Sequence, residues 1–129
     1  MKSINLPGQS IPQTSAAMLV SGGDLLFISG QVAFGENGIV GDDLASQLDQ
    51  AFRNLEAVLQ EAGATFENVV RMTIYVVDYD QSMLEAIRDV RGRYVNMERP
   101  PASTLLGVAS LFIPGLFVEV EAIANLPRV

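Results

Sequence analysis

Two segments of the chain carry apolar side chains at the three- and four-residue steps of an α-helix. Between Asp42 and Ala62 the apolar positions form one stripe, separated by Gln, Asp, Arg and Glu: Leu44, Leu48, Ala51, Phe52, Leu55, Val58, Leu59 and Ala62. This period predicts an amphipathic helix over 42–62 that ends at Gly63. A second stripe predicts another helix over 81–94: Leu84, Ile87, Val90, Arg91 and Tyr94.

Five other segments are rich in β-branched and aromatic residues and predict strands. The first two, 17–20 and 25–29, flank Ser21-Gly22-Gly23-Asp24, a sequence typical of a hairpin turn. The other three follow the helices, at 69–80, 103–110 and 116–125. Pro, Gly and Asn predict an irregular lead-in over 1–16 and a loop over 34–41.

The resulting order β-β-α-β-α-β-β predicts one α+β domain over residues 1–129, with a mixed sheet and two helices on one face. Strand sequences such as LLFIS, IYVV and STLLGVASL are apolar on both faces of the sheet. Two helices cover only one face of a sheet of five or six strands. We therefore expect the other face to be buried by oligomerisation.

Charge and composition limit the chemistry that this chain can perform. The net charge is −7, with only 8 Lys and Arg, which argues against nucleic acid or an anionic membrane as a partner. Because Cys and His are absent, thiolate nucleophiles, thiolate metal sites and the commonest general base are excluded. No apolar stretch is long enough to span a membrane, so we expect a cytoplasmic protein without a metal site.

Carboxylates are the main titratable candidates that remain. The segment VEVEAIA, 118–124, alternates with a period of two, so Glu119 and Glu121 share one face of the last strand. Such a pair is typical of a solvated strand face, and it is also typical of an acid/base group that positions water. Alternation alone does not choose between the two.

Small polar residues at strand ends offer further candidates. Ser29, Gly30 and Gln31 end the second strand, where glycine admits a ligand or simply a neighbouring backbone. Ser103 and Thr104 follow two prolines and have no His or Cys to activate them, so we do not expect a nucleophile there.

The second helix carries two arginines near its end. Arg91 and Arg93 could form an anion site with Tyr94. For Arg93 we favour an ion pair with Asp89, one turn away.

Four strings together resemble the RidA (YjgF-like) family, in order and at the family's spacing over about residues 16 to 125: FISGQVAFGENGIVG, QLDQAFRNLEAVLQEAGATFENVVRMTIYVVD, PPASTLLGVASL and VEVEAIA. The resemblance implies a chorismate-mutase-like fold and a homotrimer whose sheets form a central barrel, with small-molecule clefts between subunits. It also implies hydrolysis of enamines and imines, such as 2-aminoacrylate, to 2-keto acids and ammonia without a cofactor.

The roles of the family's motif residues are assigned to this chain one residue at a time. Ser29, Gly30 and Gln31 match the family's S-G-Q motif, and Glu119 matches the glutamate thought to position or activate water. Active deaminases read P-A-R-S/T, where the arginine grips the substrate carboxylate, but this chain reads PAST and places Ser103 at that position.

Two further positions depart from the family pattern. The family tyrosine near the first hairpin aligns with Ala16, and the helix asparagine aligns with Arg91. We therefore expect Glu119 to be catalytic and Ser29, Gly30, Gln31, Ser103 and Thr104 to bind substrate. Arg91 is the candidate that replaces the missing arginine.

These expectations leave two functions open. One is a deaminase-type hydrolase with an altered substrate preference, and the other is a non-catalytic metabolite-binding or regulatory homotrimer. Ribonuclease activity, which some family names suggest, fits poorly with a charge of −7 and no His.

Overall fold

The computed structural model describes residues 1–8 and 11–128. It contains two α-helices, α1 (Leu44–Glu61) and α2 (Leu84–Arg91). The strands are β1 (Lys2–Ile4), β2 (Ala17–Leu19), β3 (Asp24–Gln31), β4 (Phe34–Gly35), β5 (Gly38–Ile39), β6 (Val69–Val77), β7 (Ala102–Val108) and β8 (Val118–Leu126). Short 3-10 turns precede β6 and α2, at Phe66–Asn68 and Gln81–Met83.

The main sheet has four strands in the order β3-β8-β6-β7. β8 is antiparallel to both neighbours, whereas β6 and β7 are parallel. The mixed sheet and the two helices confirm the predicted α+β class. The sheet is narrower than the predicted five or six strands, and its two edges are β3 and β7.

One face of the sheet forms the core with the helices. Alternate residues of β6 and β8 point to this face and are fully buried, among them Met72, Ile74 and Val120. The apolar stripe of α1 packs against them through side chains such as Phe52 and Leu55. α1 begins where the Asp43 carboxylate accepts a hydrogen bond from the Ser46 amide at 2.7 Å, which caps the first turn.

The opposite face, which we call the open face, is not covered by any described part of the chain. Phe27 is 70% exposed there and Leu106 is 44% exposed. The expectation of an uncovered face is therefore confirmed, and these exposed apolar side chains lie on its edge strands, β3 and β7. The homotrimer that would cover it stays a prediction.

The predicted hairpin between 17–20 and 25–29 is wrong. β2 pairs with β1, and β3 pairs with β8. Gly22 and Gly23 have positive φ, as a tight turn requires, but the Asn125 side chain donates to the carbonyls of Gly22 and Asp24. The turn is thus bound to β8 instead of closing β2 onto β3.

Three other boundaries differ from the prediction. The predicted irregular lead-in over 1–16 contains the strand β1, which pairs with β2. The predicted loop over 34–41 contains the short hairpin β4–β5. α2 ends at Arg91, so Tyr94 lies beyond the helix and stacks on Phe52. No helix in the described residues is long and apolar enough to cross a membrane.

Candidate functional site

The open face carries a row of polar side chains on its two central strands. Because side chains alternate along a strand, Glu119 and Glu121 of β8 point away from the buried Val118 and Val120. Their register partners on β6 are Tyr75 and Thr73. The Tyr75 hydroxyl donates a hydrogen bond to Glu121 Oε1, which fixes that carboxylate.

Glu119 lies against the backbone of Gly30 at the end of β3. A Cβ atom on Gly30 would be 2.5 Å from both Cδ and Oε2 of Glu119. The missing side chain of Gly30 therefore makes the space that the Glu119 carboxyl occupies. Here the structure brings together two residues of the predicted site and gives Gly30 a physical role.

The surroundings of Glu119 favour its protonated form. Partial burial raises the pKa of the Glu119 carboxyl, and the nearby negative charge of Glu121 raises it further. Glu121 also raises the pKa of Tyr75, chiefly through their hydrogen bond. A carboxyl whose pKa is shifted towards neutral pH can both donate and accept a proton during a reaction.

Ser29 and Gln31 flank Gly30. Gln31 Nε2 donates to the Ser29 carbonyl at 3.1 Å. Ser29 also lines a cavity of about 310 Å³ on the open face, together with Phe27, Ile28, Arg71, Met72, Thr73, Glu121, Ala122 and Ile123. Of the predicted site residues, this cavity contains Ser29 alone.

Ser103 and Thr104 lie on opposite faces of β7. Ser103 pairs in register with the buried Met72, so its side chain points to the helix side, where its Oγ is buried without a hydrogen-bond partner in the described chain. Thr104 pairs with Thr73 on the open face and accepts a hydrogen bond from Arg71 Nη2 at 3.2 Å.

Arg91 lies at the end of α2 and is only 4% exposed. Its Nε donates to Gln13 Oε1 at 2.8 Å. Burial lowers the pKa of the Arg91 guanidinium, and the charge of Arg88 lowers it further. Arg93 pairs with Asp89 at 3.2 Å, as its spacing predicts.

A short segment connects Arg91 to the start of β7. Gln13 contacts Arg91, and two residues later Ser15 forms a bridge with Ala102, the neighbour of Ser103. The Ser15 amide also donates to the Pro101 carbonyl at 3.1 Å. Residues 13–15 thus link Arg91 of α2 to the start of β7, where Ser103 points to the helix side, and we call Arg91 and Ser103 the edge cluster.

Four further site residues, Ser29, Gly30, Gln31 and Glu119, form what we call the carboxylate cluster at the β3–β8 side. Tyr75 of β6 is the register partner of both Glu119 on β8 and Leu106 on β7, so these two residues lie level across the sheet. Ser103 precedes Leu106 by three residues along β7. Two strand spacings and three residue steps separate the Cα atoms of Glu119 and Ser103 by roughly 14 Å. Within one chain, the two clusters therefore do not share a small-molecule site.

The acidic side chains of the described residues are spread over the fold. Over residues 1–8 and 11–128 there is no group of three or more Asp or Glu side chains that could hold an ion. Asp80, which precedes α2, accepts hydrogen bonds from the amide and the hydroxyl of Ser82.

Sequence reasoning missed Arg71, Thr73 and Tyr75 on β6. The signal was present, because these residues alternate with Met72, Ile74 and Val76. The density of apolar residues hid this period of two, so the strand looked apolar on both faces. Gln13 was also missed, since nothing in its local sequence indicates a contact with α2, 78 residues away.

Comparison with known proteins extends over most of the chain. The family model described as Endoribonuclease L-PSP matches residues 10–126. RutC family protein YjgH of Escherichia coli is 34% identical over 109 residues, which cover 84% of this chain and 81% of that protein. A 2-iminobutanoate/2-iminopropanoate deaminase of Dermatophagoides farinae is 32% identical over 120 residues, which cover 92% and 89%.

Solved structures agree with this similarity. The crystal structure of YyfB from Yersinia pestis, a protein of unknown function of the conserved Rid protein family, superposes with a TM-score of 0.84. Its sequence is 37% identical to this chain, and the match covers 97% of this chain and 98% of the Yersinia pestis chain. The chain belongs to the Rid family, also called the YjgF or RutC family, as its motifs indicate.

Proposed function

We propose that this protein hydrolyses small 2-imino acids, or closely related C–N compounds, to 2-oxo acids and ammonia, with Glu119 as the acid/base. The observation that carries the proposal is the Glu119 carboxyl, held over Gly30 with its pKa raised by burial and by Glu121. The substrate class is that named for the Dermatophagoides farinae relative.

The chemistry needs one group that exchanges protons. Glu119 gives its proton to the imine nitrogen while a water oxygen forms a bond to the imine carbon, and a proton from that water returns to Glu119. In the second half, Glu119 protonates the amine nitrogen, the C–N bond breaks and ammonia leaves. The hydroxyl proton returns to Glu119 as the C=O bond forms, so one water is consumed for each ammonia released.

The working cleft in this proposal lies between copies of the chain, in a homotrimer. Two observations support it. The carboxylate cluster and the edge cluster lie at different sides of the sheet, too far apart to hold one small molecule. The open face also exposes large apolar side chains, such as Phe27 and Leu106, which a second copy would cover.

A second candidate function is non-catalytic binding of a metabolite by the same oligomer. It is favoured by Ser103, which stands where active deaminases carry the carboxylate-binding arginine. A serine hydroxyl supplies neither the charge nor the bidentate geometry of a guanidinium. Glu119 would then only anchor the ligand.

Release of 2-oxobutanoate from enzymatically generated 2-iminobutanoate separates the two functions. We expect the wild type to accelerate release and Glu119→Gln to slow it by about 100-fold, the typical contribution of a general acid/base. Glu61→Gln, at an exposed carboxylate at the end of α1, is the control and should keep the rate. Release at the uncatalysed rate with wild type would contradict the hydrolase. A gain of rate in Ser103→Arg would then show that the missing arginine is the cause.

A further inference from the structure

Two loops, one after β3 and one before β8, expose a small apolar surface. Phe34 of β4 and Ile39 of β5 are register partners in the short hairpin. Phe112 of the loop 109–117 packs edge-on against Phe34, with 6.0 Å between the ring centroids. A Cβ atom on Gly115 would be 3.1 Å from Ile39 Cδ1, so both hairpin side chains contact this loop. Phe112 is 64% exposed and Phe34 is 39% exposed, and we call Phe34, Ile39 and Phe112 the aromatic patch.

Amide side chains of α1 hold the two loops of the aromatic patch together. The buried Gln47 side chain donates to the Gly41 carbonyl at 3.2 Å and to the Gly115 carbonyl at 2.9 Å. Asn54 Nδ2 donates to the Phe34 carbonyl at 2.9 Å. The exposed rings are thus carried on a backbone that one helix fixes by hydrogen bonds. A partner that binds them has little of the chain to order, which lowers the cost of binding.

The loops that carry the aromatic patch hold negative charges only. Residues 32–43 and 109–117 contain Glu36, Asp42 and Asp43, and no Lys or Arg. All three carboxylates are exposed, and none forms a salt bridge within residues 1–8 and 11–128. A hydrogen bond from the Ser46 amide lowers the pKa of the Asp43 carboxyl, which keeps it charged. An apolar surface with a rim of one sign is complementary to an apolar group with neighbours of the opposite sign.

A second copy of this chain fits the aromatic patch poorly. A symmetric contact would place the same carboxylates of both copies against each other, and each copy has a net charge of −7. The side chains that a second copy covers in the proposed oligomer, such as Phe27 and Leu106, lie on the open face instead. The charge of the rim therefore favours a different protein as the occupant.

We propose that the aromatic patch is a docking surface for a second protein, through a segment in which Lys or Arg flanks an aliphatic or aromatic side chain. The apolar side chain of that segment packs on Phe34 and Phe112, since exposed aromatic rings are common centres of binding energy. Its cationic neighbours contact the ring faces and pair with Glu36 and Asp42. The inference goes beyond the proposed function, because no residue of the aromatic patch belongs to either cluster of the candidate site.

Selection from a phage-displayed library of random peptides tests the docking surface. Binders are selected on the wild type after counter-selection on a double variant, Phe34→Ser with Phe112→Ser. We expect the enriched peptides to combine Lys or Arg with Leu, Phe or Trp. Synthetic copies should bind Phe112→Ser at least about tenfold more weakly than wild type. They should bind Met97→Ser like wild type, since this matched control removes another exposed apolar side chain. Glu36→Gln should weaken binding most at low salt, whereas Glu61→Gln should not.

Each other outcome counts against the docking surface. Enriched peptides without Lys or Arg would overturn it, as would equal affinity for wild type and Phe112→Ser, or no enrichment after the counter-selection. Light scattering after size exclusion should give Phe112→Ser the mass of the wild type. A smaller mass would assign the aromatic patch to a contact between copies of this chain and overturn the second protein. Circular dichroism verifies the fold of each variant, and Glu36→Gln in its exposed turn keeps the test decisive if a serine variant fails to fold.

Discussion

Replacing Gly30 by alanine should displace the Glu119 carboxyl while leaving the fold intact. The added Cβ would lie 2.5 Å from Cδ and Oε2 of Glu119, and 2.8 Å from its Cγ. Ordinary carbon contacts are about 3.5–4.0 Å, so the carboxyl must move by about 1 Å or more. The nearest atoms belong to the flexible end of a side chain, and alanine is favoured over glycine in a strand, so the free energy of unfolding should change by less than about 1 kcal/mol.

Two measurements follow the displaced carboxyl. A misplacement of about 1 Å typically costs about 100-fold in rate, so 2-oxobutanoate release should fall by that factor in Gly30→Ala. By carbon NMR, the pKa of Glu119 should move down towards its ordinary value as the group gains solvent. In the Glu119→Gln background, Gly30→Ala should cause no further loss. If both the pKa of Glu119 and the rate stay unchanged in Gly30→Ala, the close contact with Gly30 does not determine the position of the Glu119 carboxyl.

Three further predictions follow from the open face. Tyr75→Phe removes the hydrogen bond to Glu121 and should lower the free energy of unfolding by about 1 kcal/mol in urea titrations. Because the pKa of Glu119 is raised on folding, the native protein keeps that proton where the unfolded chain has lost it. The free energy of unfolding therefore falls as pH rises from the ordinary pKa of Glu to the raised pKa of Glu119. Glu119→Gln removes this titration, so its Tm should fall less than that of the wild type between acidic and neutral pH. Phe27→Glu should yield monomers in light scattering after size exclusion, since it places a charge at a 70% exposed apolar position of the open face; an unchanged oligomer would contradict the proposed interface.

The helices were predictable because their apolar period is local and strong. The stripe through Leu48 and Leu55 is the buried face of α1, and Ile87, Val90 and Arg91 are the buried positions of α2. Tyr94 extended the predicted second helix too far, since its burial comes from stacking on Phe52 and a hydrogen bond to Asp49, not from a helical turn.

Strand pairing was less predictable, because it depends on residues distant in the chain. Gly22 and Gly23 supply a turn, but whether it closes a hairpin depends on Asn125, about a hundred residues later. The candidate site shows the same limit. The family motifs indicated the residues, whereas the sequence did not show that Ser103 and Thr104 face opposite sides of β7, or that Gln13 holds Arg91.

Mixing a variant impaired at Glu119 with one impaired at Arg91 tests most directly whether Glu119 works in a cleft shared between copies of the chain. Glu119→Gln carries an intact edge cluster, and Arg91→Lys carries an intact carboxylate cluster. In trimers re-formed from equal amounts of both, one cleft in each mixed trimer combines the intact clusters, so release of 2-oxobutanoate should recover to about one quarter of the wild-type rate. Mixed trimers that remain as slow as the two variants alone would contradict the account.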